Sequence, residues 1–146
     1  MINIRKNVFE TNSSSSHSIS IGDYIPKNFE VPKKLTVCPI DEGRTFEYSG
    51  TEEKFTFIVC IADRAGELNK LLSMLDEIGV KEKILTICNG KSLNWYDSAG
   101  LGVNGLYELD TTDCLEYVDE ILESPETLKQ WLFSPESYAY GEDDNY

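Results

Sequence analysis

Leu68, Leu71, Leu72, Leu75 and Ile78 recur at i, i+3, i+4, i+7 and i+10, while Glu67, Lys70, Asp76 and Glu77 fall off that stripe. Apolar residues at this period form one side of an amphipathic helix, which must lie on a core supplied by the rest of the chain. Gly79 supplies the stop, because glycine accepts the left-handed conformation that ends many helices. The remaining sequence therefore has to build the surface on which residues 66–79 dock. At 146 residues the chain sits near the commonest domain size, so one domain over 1–146 is expected. A 40% hydrophobic content and sixteen aromatic residues (two Trp, eight Tyr, six Phe) are enough to fill its core.

Strand patterns cluster in the N-terminal half. Ile2, Ile4 and Val8 alternate over residues 2–9, Ser18-Ile19-Ser20-Ile21 alternates again, and Leu35–Cys38 and Arg44–Tyr48 add two short runs. Gly22, Pro26 and Pro32 punctuate the loop between them. Lys54–Ile61 fits either a β-branched strand or a buried helix. Phe55, Ile58, Val59 and Ala62 at helical spacing, with a Ser49/Glu52 capping box or Thr51 as cap, favour the helix. Lys83–Cys88 reads as a strand and Asn89-Gly90 as a turn. Residues 91–108, with Trp95, Tyr96 and Tyr107, read as a long glycine-rich loop. Asp110 caps an expected helix over 111–123. Ser124-Pro125 opens another that buries Leu128, Trp131 and Leu132 and stops at Pro135. The expectation is an α+β fold: a small mixed domain with antiparallel strands mainly in the N-terminal half, helices packed on one side, and an irregular acidic tail over 139–146.

Charge is distributed unevenly. The chain carries 13 basic and 26 acidic side chains, for a net −13. Residues 1–50 are balanced, whereas residues 111–146 hold ten acids against the single Lys129. Such a field repels phosphate backbones and anionic lipid and attracts basic surfaces, so neither direct nucleic-acid binding nor membrane association is expected. Cys38, Cys60, Cys88 and Cys114 are 22, 28 and 26 residues apart, without a Cys-x-x-Cys pair, so no metal centre is expected. Each lies in an apolar run and reads as a buried free thiol, which suits a reducing cytoplasm. No signal peptide is expected, and the sequence holds no apolar run of spanning length. No cofactor motif is found.

The most unusual segment is Phe9-Glu10-Thr11-Asn12-Ser13-Ser14-Ser15-Ser16-His17-Ser18. Four consecutive serines flanked by Thr11, Asn12 and His17 favour tight turns, and a polar loop tying two strands together is the simplest reading. Two functional readings stand beside it. Asn12, Ser13, Ser14, Ser15, Ser16 and His17, with Arg5 and Lys6 for charge, form a candidate phosphate or nucleotide loop, although the glycines usual in such loops are missing. Alternatively Ser14 or Ser15 is a nucleophile, His17 (the one histidine of the chain) its base, and Glu10, Asp143 or Asp144 the orienting carboxylate. No Gly-x-Ser-x-Gly elbow supports the second. Glu142-Asp143-Asp144-Asn145 lacks the spacing of an EF-hand loop and reads as solvated.

The opening R-K-N-V-F-E-T-N-S-S-S-S-H-S (residues 5–18) resembles the first segment of a group of uncharacterised bacteriophage and prophage proteins. The ending F-S-P-E-S-Y-A-Y-G-E-D-D-N (residues 133–145) resembles their closing segment. Together the segments cover 27 of the 146 residues, at opposite ends. The resemblance implies a viral or mobile-element origin and carries no reaction type. With the charge asymmetry it leads to an expected non-enzymatic binding protein that engages a host protein through Glu116, Asp119, Glu120, Glu123, Tyr138 and Tyr140, as an inhibitor or anti-defence factor. The alternative is a small enzyme or phosphate-binding protein centred on residues 11–18.

Overall fold

The computed structural model describes residues 3–9, 15–38, 45–85 and 116–143 of the chain, with the backbone alone at 3–9, 15–17, 45–46 and 142–143. The strands are β1 (Asn3–Phe9), β2 (Ser15–Gly22), β3 (Lys34–Thr36), β4 (Thr45–Tyr48), β5 (Glu82–Ile84) and β6 (Tyr138–Asp143). The helices are α1 (Thr51–Arg64), α2 (Leu68–Ile78), α3 (Glu116–Ile121) and α4 (Pro125–Phe133). An antiparallel sheet runs in the order β1-β2-β6-β4, and β3 pairs with β5 in a separate parallel ribbon. This is the expected small α+β domain.

α1 is the centre of the molecule. It packs against α2, α3, α4, β3 and β4, and every residue from Lys54 to Ala62 is buried. A helix surrounded on all sides has no polar stripe, which is why its sequence also reads as a strand. Its cap is shifted by one residue from the expected box. Gly50 is the N-cap, and Glu53 Oε1 accepts from the Gly50 and Ser49 amides at 3.1 and 3.3 Å. Thr56, inside the helix, donates to the Glu52 carbonyl and accepts from the Cys38 amide, tying the chain beyond β3 to α1.

α2 buries Leu71, Met74 and Leu75 and half-buries Leu68, Leu72 and Ile78. It ends at Gly79 in the left-handed conformation (φ 108°), where a β-carbon would be strained. At α4, Ser124 Oγ accepts from the Thr127 amide at 3.1 Å and Pro125 occupies the first helical position, as its sequence predicts. Phe57 lies between Tyr48 (6.0 Å) and Trp131 (5.9 Å), joining sheet, α1 and α4 through tilted rings. On β2, β6 and β4 the buried apolar side chains are Ile19, Ile21, Ala139 and Tyr48, and this side of the sheet meets the helices.

Two expectations require correction. Residues 139–143 are not an irregular tail. They belong to β6, which lies inside the sheet between β2 and β4. Ser15, Ser16, His17 and Ser18 are not loop residues either, because they lie in β2, where Ser16, His17 and Ser18 pair with both β1 and β6 and Ser15 pairs with β6. In both cases pairing to neighbouring strands overrides a local composition that favours turns. The expected loop over 91–108, residues 111–115 of the expected third helix, and residues 86–88 of the expected fifth strand lie outside the described residues.

Candidate functional site

The site is built by the turn between α4 and β6. Ser137 Oγ donates to the Gln130 carbonyl (2.8 Å) and accepts from the Gly22 amide (3.0 Å), so the end of β2 is held against the end of α4. Lys54 Nζ donates to the Ser134 carbonyl at 3.0 Å, and Trp131 Nε1 donates to the Lys54 carbonyl at 3.1 Å. A β-carbon on Gly22 would stand 2.5 Å from Glu136 Cβ and 2.6 Å from Ser134 Oγ, so this close approach of strand and turn requires glycine. The turn sends the chain back along β2. Tyr138 then stands opposite Ser20, Tyr140 opposite Ser18, Gly141 opposite His17, Glu142 opposite Ser16 and Asp143 opposite Ser15.

The two ends of the sequence thus lie side by side. Residues 15–18 of the serine-rich segment pair with 140–143 of the acidic segment. Phe9 and Val8 flank Ser16 and His17 on the β1 side, while Thr45 and Phe46 stand opposite Glu142 and Gly141 on the β4 side. Arg5 stands opposite Ser20, four residues from the Ser16 row, or about 13 Å along the strand. Along β2 the acidic positions Glu142 and Asp143 thus stand opposite Ser16 and Ser15, and the basic positions Arg5 and Lys6 opposite Ser20 and Ile19. Glu10, Asn12, Ser13, Ser14 and Asp144 lie outside the described residues.

The second candidate surface is on α3. Tyr117, Val118, Ile121 and Leu122 are buried, which leaves Glu116, Asp119 and Glu123 exposed and Glu120 half-exposed at i, i+3, i+7 and i+4. Glu116, Asp119 and Glu120 share one side of α3, Glu123 lies two residues past its end, and Glu126 extends the exposed acids into the first turn of α4. Tyr138 and Tyr140 are half-buried on the sheet face opposite to Ala139. Trp95, Tyr96 and Tyr107 lie outside the described residues.

Two further classes of site find no support among the described residues. No group of three or more His, Cys, Asp or Glu is placed to hold a metal ion, and no helix is long and apolar enough to cross a membrane. Cys38 and Cys60 are free thiols. Burial raises the pKa of Cys38 and raises that of Cys60 well above the ordinary range, so neither is an activated nucleophile. Lys54, Ser134 and Ser137 build the turn, yet they were not singled out by sequence reasoning. The one available signal was Ser-Pro-Glu-Ser directly after an apolar helix, a helix-stop followed by a hydroxyl-rich turn. No protein-family model, no curated protein and no solved structure matches this chain.

Proposed function

We propose that this chain is a binding protein that presents the acidic stripe of α3 to a basic surface on another protein. The observation that carries the reading is the placement of Glu116, Asp119 and Glu120 on the open side of α3, continued by exposed Glu123 just past its end, while Tyr117, Val118 and Ile121 are buried. A field of one sign on a rigid element steers association with an oppositely charged partner. The resemblance of both end segments to phage and prophage proteins makes that partner a host protein, and occupation of a basic groove makes the mode of action inhibition. The test is affinity capture from a bacterial host, followed by kinetics with the captured partner. Reversing Glu116, Asp119 and Glu123 to lysine is expected to slow association by roughly 10- to 10³-fold, with a matching loss as salt rises. Association insensitive to both salt and charge reversal would remove the proposal.

A second reading, a ligand site at the end of the sheet, is favoured by one observation: the serine-rich and acidic segments pair in register. Because Glu142 and Asp143 stand beside the serines, the ligand expected there is uncharged or cationic. His17→Ala should then abolish ligand-induced thermal stabilisation while leaving the circular dichroism spectrum unchanged. A variant that only melts earlier, with ligand response intact, would mark the segment as structural.

A further inference from the structure

Cys38 and Cys60 converge on one hydroxyl. Thr56 Oγ1 accepts from the Cys38 amide at 2.9 Å and stands 3.6 Å from Cys38 Sγ, so the backbone and the sulfur of Cys38 are both held against α1. Cys60 follows Thr56 by four residues on the same helix. Residues at that spacing share one face with β-carbons about 5–6 Å apart, and helical side chains lean toward the N-terminus. The Cys60 side chain therefore lies over the turn that carries Thr56, on the side where Cys38 is held. Burial, then charge at Asp63 and at Cys38, raises the Cys60 pKa, so the two thiols are near enough to sense each other's charge. The pair is unequal: Cys38 is half-buried, whereas Cys60 is fully buried.

We propose that Cys38 and Cys60 are a redox-responsive pair that closes to a disulfide when the protein meets a peroxide, with Cys38 the entry thiol and Cys60 the resolving thiol. The inference is independent of both the α3 surface and the sheet-end ligand site. The Cys38 sulfur, as thiolate, attacks one oxygen of hydrogen peroxide. The O–O bond breaks, the sulfur becomes a sulfenic acid, and the departing hydroxide takes up the thiol proton as water. The Cys60 sulfur then attacks the sulfenic sulfur: an S–S bond forms, the S–O bond breaks, and a second water leaves with the Cys60 proton. The two thiols together give two electrons to the peroxide, and no other reactant is needed. Neither thiol is activated, so the reaction is slow and its selectivity comes from placement. A disulfide brings its β-carbons within about 3.5–4.5 Å, which requires the Cys38 sulfur to turn from Thr56 toward Cys60. Cys38 follows β3 by two residues, so the bond would add a covalent tie between the β3–β5 ribbon and α1. A two-stranded ribbon holds little stability of its own, and such a tie would keep it docked.

The test is treatment of the folded full chain with hydrogen peroxide, alkylation of the remaining thiols after denaturation, and peptide mass spectrometry without reductant. The expected result is one dominant linkage, Cys38 to Cys60, formed with the loss of two hydrogen atoms and reversed by dithiothreitol. The same treatment in urea removes the placement, and there linkages to Cys88 and Cys114 should appear as well. Closure should raise the melting temperature of the unmutated protein by roughly 5–15 °C, because a cross-link constrains the unfolded chain, and peroxide should leave that of Cys38→Ser unchanged. Mapping the linkage in the unmutated chain keeps the test independent of whether a variant folds. A dominant linkage to Cys88 or Cys114, a linkage between two chains, or Cys38 oxidised past the sulfenic acid beside a reduced Cys60 overturns the inference. So does a folded chain that keeps both thiols under peroxide that oxidises them in urea.

Discussion

Trp131→Ala is expected to cost about 3–5 kcal/mol of folding stability, as for other large aromatic truncations in a packed core. Trp131 is fully buried, its ring lies 5.9 Å from that of Phe57, and its Nε1 donates to the Lys54 carbonyl. Removing the indole leaves a cavity where α1 and α4 meet and deprives a buried carbonyl of a donor. Domains of this size hold only about 5–15 kcal/mol in total, so the variant should be close to unfolding at physiological temperature. Trp131→Phe separates the contributions: it keeps most of the apolar area and loses the hydrogen bond, so a cost nearer 1–3 kcal/mol is expected. Urea unfolding followed by circular dichroism reads both numbers. A loss below about 1 kcal/mol for the alanine variant would mean that the aromatic chain through Phe57 is not the centre of the core.

How much of this was legible in the sequence depends on how local each signal was. α2 was legible because its stripe, its polar side and its glycine stop lie within a dozen residues. α4 was legible because Ser124 and Pro125 start it by local chemistry. α1 was legible only as an alternative, since burial on every side erases the periodicity that separates helix from strand. β6 was not legible. Tyr138–Asp143 contains alanine, glycine and two acids, and what makes it a strand is β2 on one side and β4 on the other. These partners lie more than 90 residues away in sequence. The acidic stripe of α3 could be read from spacing alone. The juxtaposition of Ser15 with Asp143 could be framed as a possibility, but its register could not, because a one-residue slip would exchange the faces. That register follows from the Ser134–Ser137 turn and its anchorage on Lys54 and Gly22; Ser-Pro-Glu-Ser marks the turn in the sequence, but the long-range anchorage has no local signature.

The folded protein is expected to gain stability from Lys54 as pH rises from about 8 to 10.5, and Lys54→Met should abolish that gain. Lys54 is 2% exposed, and burial lowers its pKa from 10.5 to about 8. Its ammonium donates to the Ser134 carbonyl at the C-terminal end of α4, a position where a positive charge is favoured, but desolvation is the larger effect. Above pH 10.5 the amine is neutral in folded and unfolded chains alike. Between that value and about 8 the unfolded chain binds a proton that the folded chain does not, so stability falls as the solution is acidified. Below about 8 both states are protonated and the penalty is constant. Cys60 acts in the opposite direction: burial holds its thiol neutral in the fold while the unfolded thiol ionises, so it removes stability as pH rises through 9. Cys38, whose pKa burial also raises, acts in the same direction as Cys60, so the raw pH profile mixes the lysine with the thiols. The difference between the wild-type and Lys54→Met unfolding free energies isolates the lysine. Methionine is unbranched, uncharged and one atom shorter, so that difference should move in favour of the wild type across this window and stay flat below it. A difference that does not change between pH 7 and 11 would show that Lys54 is solvated in the folded protein, and the turn that aligns β6 with β2 would then need another anchor.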